Sequence, residues 1–321
     1  MSHCLYPRIA TFKEEWLTVS DEHQIYIEQS GNPKGIPVLY LHGGPGGGSS
    51  ENYRRYFDPE LYRIILFDQR GCGRSLPVLS LNNNTTSTLV DDIDAIRKHL
   101  TIDKWLVSGG SWGTTLALCY GIKYPQSVHA FILRGIFLAT QAEYDWLYKK
   151  EGAAQFFPEY YRAFLSPLSE HDRLDPLSGY HAIFSGENEL AKAAASKAWY
   201  LWELRLSTIE HQIGNLKVED THKALCMAQL SNHYFYHQCF LSEDYILSHL
   251  DALFDIPAII LHGRYDMVCQ LAMADKLVNL WKNATLQILP QAGHSGFESQ
   301  TITAFCNATK TMATFLNENK S

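Results

Sequence analysis

The sequence lacks several things that would point away from a simple globular protein. No apolar run reaches the roughly 18–20 residues that span a bilayer, so no membrane helix is expected. There is no surplus of basic charge: 27 Lys and Arg stand against 34 Asp and Glu, a net charge of −7. That balance gives no electrostatic footing for nucleic acid or an anionic membrane surface. The opening "MSHCLYPRIATFKEEWL" has no basic start followed by an apolar core, so no secretory signal is expected. Without one, the sequons at Asn83, Asn84, Asn283 and Asn307 are expected to carry no glycan. The seven cysteines (4, 72, 119, 226, 239, 269, 306) are scattered, odd in number and free of CxxC spacing. This argues against a disulfide framework and against a zinc site; free thiols in a reducing cytoplasm are the expectation.

What is present is a succession of short β-rich apolar runs, several ending in glycine loops. "EEWLTVSDEHQIYIEQSG" reads as a hairpin around "SDEH". Then come "IPVLYLHGG" (36–44), "YRIILFDQRGCG" (62–73), "KWLVSGGSWG" (104–113), "VHAFILRG" (128–135), "IPAIILHGRYD" (256–266) and "ATLQILPQAGH" (284–294). These runs are apolar on both parities, as in parallel strands buried on both faces. Helical patterns fit between them. In "STLVDDIDAIRKHL", Leu89, Ile93, Ile96 and Leu100 share one face, with Ser87 or Thr88 as the expected cap and acids in the first turn. "SWGTTLALCYGIKYP" and "LAMADKLVNLWKN" supply two more. Alternating strand and helix predicts an α/β sheet with right-handed crossovers.

From about Phe137 to Leu250 the strand runs stop. This segment is rich in Ala, Leu and aromatics, with helical stretches such as "ELAKAAASKAWYLWELRLSTIE" and "HKALCMAQLSNHYFYHQCF". It reads as a helical insertion, giving a catalytic domain of 1–136 plus 251–321 and a helical cap of 137–250. The segment carries 15 acidic and 9 basic residues and hence most of the net charge, as expected of a solvated helical surface.

The most specific chemical signal is "GGSWG", Gly109 to Gly113, a G-x-S-x-G between a strand and a helix. That context predicts a nucleophile elbow, a sharp turn that exposes the Ser111 hydroxyl over a helix N-terminus. A serine nucleophile needs a base, and the base an orienting acid. An elbow predicts the chain order Ser, acid, His, each just beyond a later strand. Asp266 and His294 satisfy it. His42 and His262 are rivals, but each lies in the last residues of its strand run, which suggests a structural role. "LHGGPGGG" (41–48) invites comparison with a phosphate cradle. It lacks the Lys-Ser/Thr of a P-loop and the G-x-G-x-x-G spacing of a dinucleotide site, and Pro45 removes a backbone donor. A glycine loop after an early strand is instead where elbow hydrolases place one oxyanion donor. The N–H groups of Gly44 and Trp112 are the expected pair. "DQRGCGRS" (68–75) contains Asp68, Arg70 and Arg74, read as an ion-pair brace beside that loop.

Together "HGGPG" (42–46), "DQRGCGRS", "GGSWGTTLAL" (109–118), "GRYDMVC" (263–269) and "AGHSGFE" (292–298) resemble the proline iminopeptidases, from about residue 5 to the C-terminus. The resemblance implies the α/β-hydrolase fold, a mostly parallel eight-stranded sheet with an inserted helical cap. It implies a cytoplasmic serine exopeptidase that needs no metal and no cofactor and acts on short peptides with a free N-terminal proline. It also implies substrate contacts from Glu203 in "AWYLWELRLSTI", Arg134 and Phe137 in "LRGIF", and Cys269. The sequence departs from the family where "SNHYF" carries Ser231 at a position usually held by glutamate, which leaves the substrate amine to Glu203 alone or to another cap acid. The rival readings are a relaxed-specificity arylamidase or esterase of the same fold, or a ligand-binding protein without catalysis.

Overall fold

The computed structural model describes residues 5–20, 22–210 and 221–318. Eight strands form one sheet: β1 (Thr11–Thr18), β2 (Gln24–Gly31), β3 (Ile36–Leu41), β4 (Tyr62–Phe67), β5 (Trp105–Ser111), β6 (Val128–Ile136), β7 (Ala258–Gly263) and β8 (Ala284–Leu289). Their order is β1-β2-β4-β3-β5-β6-β7-β8. The hairpin β1–β2 is antiparallel and meets β4 antiparallel; every pairing from β4 through β8 is parallel. The six parallel strands therefore end on one edge of the sheet, where the loops after β3, β5, β6, β7 and β8 gather.

Alternation along each strand separates two cores, as the period of two requires. Leu39, Leu41, Ile65, Phe67, Val107, Phe131, Leu133 and Ile260 point to one face. Val38, Tyr40, Ile64, Leu66, Leu106, Ala130, Ile132 and Leu261 point to the other. Helices flank the sheet in chain order: α1 (Glu51–Arg54), α2 (Thr86–His99), α3 (Trp112–Lys123), α4 (Gln141–Tyr148), α5 (Pro158–Phe164), α6 (Pro176–Ser185), α7 (Glu189–Leu206), α8 (Thr221–Tyr236), α9 (Tyr245–Ser248), α10 (Leu271–Leu280) and α11 (Ser299–Glu318). Those from α4 to α9 lie between β6 and β7, where the strand runs were missing. Their aromatic residues, among them Tyr144, Tyr148, Phe164, Tyr180, Trp199 and Trp202, join the first core without a break.

Helix α2 starts earlier than its sequence suggested. Thr85 is the cap: its hydroxyl accepts from Thr88 N–H, and Thr88 Oγ1 accepts from Thr85 N–H at 3.0 Å. No acid lies in the first turn. The acidic residues sit further along and serve ion pairs instead, Asp92 with Arg70 and Asp94 with Arg97 and Lys98. Among the described residues six cysteines are buried and form no disulfide, and no group of His, Cys, Asp and Glu could hold a metal ion. Cys4 and Asp21, the latter within the "SDEH" read as a turn, lie outside the described residues. Among the described residues no helix is long and apolar enough to cross a membrane.

Candidate active site

Strand β5 is central, and it delivers Ser111 to the edge where the parallel strands end. Ser111 has φ 58° and ψ −128°, a conformation that L-residues rarely adopt and that persists only when its surroundings hold it. The neighbouring glycines show how. A Cβ on Gly113 would stand 2.2 Å from the Leu41 carbonyl oxygen, so only glycine lets α3 start this close to β3. Helix α3 begins at Trp112, directly after the serine, which brings its unpaired N-terminal N–H groups to the sheet edge.

Asp266 and His294 follow β7 and β8. His294 Nδ1–H donates to Asp266 Oδ2 at 2.8 Å. The other carboxylate oxygen of Asp266 accepts the N–H groups of Val268 at 3.0 Å and Cys269 at 2.8 Å. Burial alone would raise the Asp266 carboxyl, but His294, His262 and the Cys269 N–H hold it below the usual carboxylate range. His262 also approaches Asp266, at 3.5 Å. Its Nε2–H donates to the Cys269 carbonyl at 2.8 Å and its Nδ1 accepts from Ile136 N–H at 3.3 Å. Full burial lowers its pKa, so it stays a neutral prop. His42 is likewise occupied: Nε2 accepts from Gln69 N–H at 3.1 Å and Nδ1–H faces the Gly43 carbonyl at 3.0 Å.

A cavity of about 270 Å³ opens over this edge. Its walls include Ser111, His294, Gly43, Gly44, Arg134, Phe137, Cys269 and Glu203. Gly43 packs on the serine; a Cβ there would lie 3.3 Å from Ser111 Cβ. Trp112 is fully buried, and its Nε1–H donates to Gln69 Oε1 at 3.0 Å, while the Gln69 amide donates to the His42 carbonyl at 2.9 Å. Gln69 thus couples the first residue of α3 to the start of the glycine loop. Arg134 donates through Nη1 to the His294 carbonyl, bracing the histidine loop from below. Phe137 is buried against Tyr144 and Phe235. Burial pushes the Cys269 thiol well up, so it presents as a neutral thiol.

Glu203 enters from α7. Its Oε1 accepts from Tyr148 O–H and from Trp199 Nε1–H, both at 2.8 Å. Burial raises its pKa to about 7, against the lowering effect of those two donors. Both are neutral, so the described residues give this carboxylate no counter-charge. Ser231 behaves otherwise. It is fully buried on α8, is not part of the cavity wall, and donates to the Pro45 carbonyl at 3.1 Å. Ser231 thus ties α8 to the glycine loop.

Asp68, Arg70 and Arg74 form ion pairs and do not reach the cavity. Arg70 forks Asp92 at 2.6 and 2.7 Å; Arg74 meets Asp68 at 3.0 Å and Glu28 at 3.1 Å. Sequence reading missed two contributors. Glu298 accepts from Gly293 N–H at 2.6 Å and Ile209 N–H at 2.9 Å, joining the histidine loop to the segment after α7. Lys223 of α8 stands in the cavity wall. Glu298 lay inside the "AGHSGFE" motif; Lys223 has no local signal, since only the docking of α8 brings it there.

Three comparisons bear on this arrangement. The family model for the alpha/beta hydrolase fold matches residues 36–301. A proline iminopeptidase of Xanthomonas citri is 44% identical over 310 residues, covering 95% of this chain and 98% of that protein. One from Arabidopsis thaliana is 43% identical, covering 92% of this chain and 78% of its own length. Among solved structures, a proline iminopeptidase-related protein from Thermus thermophilus superposes with a TM-score of 0.61 at 22% identity, over 94% of this chain and 97% of that one.

Proposed function

The chain belongs to the proline iminopeptidases of the α/β-hydrolase fold, and from that membership we propose that it releases N-terminal proline from peptides through an acyl-enzyme on Ser111. The observation that carries the reading is the sharing of one cavity by Ser111, His294 and a carboxylate, Glu203, that has no cationic partner among the described residues. The first two suit acyl transfer; the third suits the protonated amine of a free N-terminus.

In this reading His294, oriented by Asp266, takes the Ser111 proton as Oγ attacks the carbonyl carbon of the first residue. The N–H groups of Gly44 and Trp112 receive the oxyanion; such donors contribute roughly 3 kcal/mol each in sites of this kind. His294 then protonates the departing amine, and water, deprotonated by His294, releases proline and restores Ser111. The Asp266–His294 hydrogen bond, the strained serine and the Gln69 link between the two donor segments support these roles. Glu203, Arg134, Phe137 and Cys269 form the pocket for the first residue. The helical segment 137–250 is the cap and 1–136 with 251–321 the catalytic domain. The substrates are short peptides with a free N-terminal proline, and the protein acts in the cytoplasm, without metal or cofactor.

A second reading, a relaxed arylamidase or esterase, is favoured by the burial of Ser231, which leaves one acid at the amine site. A fluorophosphonate probe and a substrate panel separate the possibilities. The expected result is labelling of Ser111, loss of labelling in Ser111→Ala, and a fall in Pro-naphthylamide hydrolysis of at least about 10³-fold in that variant. Absence of labelling in the folded protein removes the catalytic reading. Slow Pro-naphthylamide turnover beside rapid aryl-ester turnover favours the second.

A further inference from the structure

Three charged side chains, Arg134, Glu203 and Lys223, line the cavity over Ser111 together with His294. Two have partners within the wall, Arg134 at the His294 carbonyl and His294 at Asp266. Glu203 meets only neutral donors. Lys223 is exposed on α8, and its ammonium joins no ion pair among the described residues. Among the described residues the cavity therefore carries one anion, Glu203, and two cations, Arg134 and Lys223, with no ion pair to neutralise them. That is the complement of a zwitterion.

Lys223 also lines a second cavity, beyond the glycine loop, with Gly46, Gly47, Gly48 and Ser49. The other charged groups there are matched. Arg54 pairs with Glu28, Arg74 with Glu28 and Asp68, and Glu51 with Arg8. His222 lies 3.7 Å from the Cys226 sulfur. Lys223 is thus the unmatched cation, among the described residues, on the path from the catalytic cavity along the oxyanion loop. A peptide whose amine meets Glu203 and whose first carbonyl meets Ser111 must send its leaving part away from Glu203. The catalytic cavity, at about 270 Å³, is at the small end of ligand sites and suits about two residues.

We propose that Lys223 receives the main-chain carboxylate of the leaving residue, so that the preferred substrates are dipeptides of the form Pro-Xaa with a free C-terminus. This rests on the peptidase reading above and adds the second end of the substrate to it. Lys223 is exposed, so its pairing with a carboxylate is partly screened and the effect is modest.

The test compares kcat/KM for Pro-Ala with that for Pro-Ala-amide in the wild type, Lys223→Gln and Lys223→Arg. The wild type is expected to favour the free acid about fivefold, mainly through KM. Lys223→Arg keeps the preference, Lys223→Gln brings the ratio close to one, and about 0.5 M salt weakens it in the wild type. A ratio near one in the wild type, or one unchanged by Lys223→Gln, overturns the proposal while Pro-naphthylamide hydrolysis still upholds the peptidase reading. Failure on the dipeptide, its amide and Pro-naphthylamide alike removes both.

Discussion

Glu203 concentrates the tension between stability and the proposed function in one side chain. It is a carboxyl group held among aromatic neighbours and raised to about 7 by burial. The fold therefore prefers it protonated, while an amine-binding role needs it charged. For an acid whose folded pKa lies above its unfolded value, the cost is absent below the unfolded pKa near 4.5 and complete above about 7. Glu203→Gln is expected to be more stable than the wild type at pH 8 by about 1–3 kcal/mol. The gain should shrink as pH falls from 7 and vanish below about 4.5, as thermal melts at each pH would reveal. Catalysis should move the opposite way. With Pro-naphthylamide, kcat/KM of the wild type should rise through pH 7 as Glu203 ionises; the variant should lose that limb and fall roughly 10- to 100-fold, chiefly in KM. A variant that is less stable at pH 8, or that keeps the limb, contradicts this account.

At the scale of the element, the turn from β5 into α3 works because two backbones touch where side chains would normally stand. The Cβ of an alanine at 113 would come within 2.2 Å of the Leu41 carbonyl oxygen, a backbone atom that cannot move without shifting β3. Gly113→Ala is expected to destabilise by about 2 kcal/mol or more and to lower kcat, because the displaced strand carries the glycine loop. Gly186, after α6, has an ordinary φ of −76°, and a methyl group placed on its Cα would meet no neighbour closer than 3.3 Å. Gly186→Ala should stay within about 0.5 kcal/mol in urea titrations, which separates close approach from the general cost of replacing a glycine. The start of α2 shows the same dependence on neighbours. Thr85, Ser87 and Thr88 can all cap a helix, and the sequence offers no means of ranking them. The tertiary contacts do: Thr86, in the first turn, is buried and donates to the Cys239 carbonyl, so the helix must already have begun there.

Across the whole molecule, the site is made where the helices between β6 and β7 press on the loops at the sheet edge. Ser231 donates to the Pro45 carbonyl, Tyr234 O–H reaches Asn84 Oδ1 at 2.7 Å, and Gly46 packs so closely that a Cβ would stand 2.7 Å from the Cys226 carbonyl oxygen. The glycine loop is therefore shaped from two sides, by α3 and Ser111 beneath and by α8 above. Ser231→Ala removes the donor to a carbonyl in this buried contact. The expected outcome is a loss of about 1–2 kcal/mol in stability together with a few-fold drop in kcat for Pro-naphthylamide, since the loop carries Gly44. Unchanged kcat and an unchanged melting temperature would mean that α8 does not position the loop.

The sequence by itself determined the strands, their parallel pairing and the chain order of Ser111, Asp266 and His294. Those features depend on local chemistry: apolar runs that must be buried on both faces, glycines at sharp turns, and functional residues set just past strand ends. Glu203 is a candidate through the family resemblance of "AWYLWELRLSTI". Only the tertiary structure decided which neighbours those residues keep. His262 comes to 3.5 Å from Asp266 yet is held by backbone groups, and His294 takes the shorter contact at 2.8 Å. Ser231 turns to Pro45 and away from the cavity, and Lys223 arrives in its wall. Each outcome follows from how separate elements dock, a relation between residues far apart in the chain that no local pattern encodes.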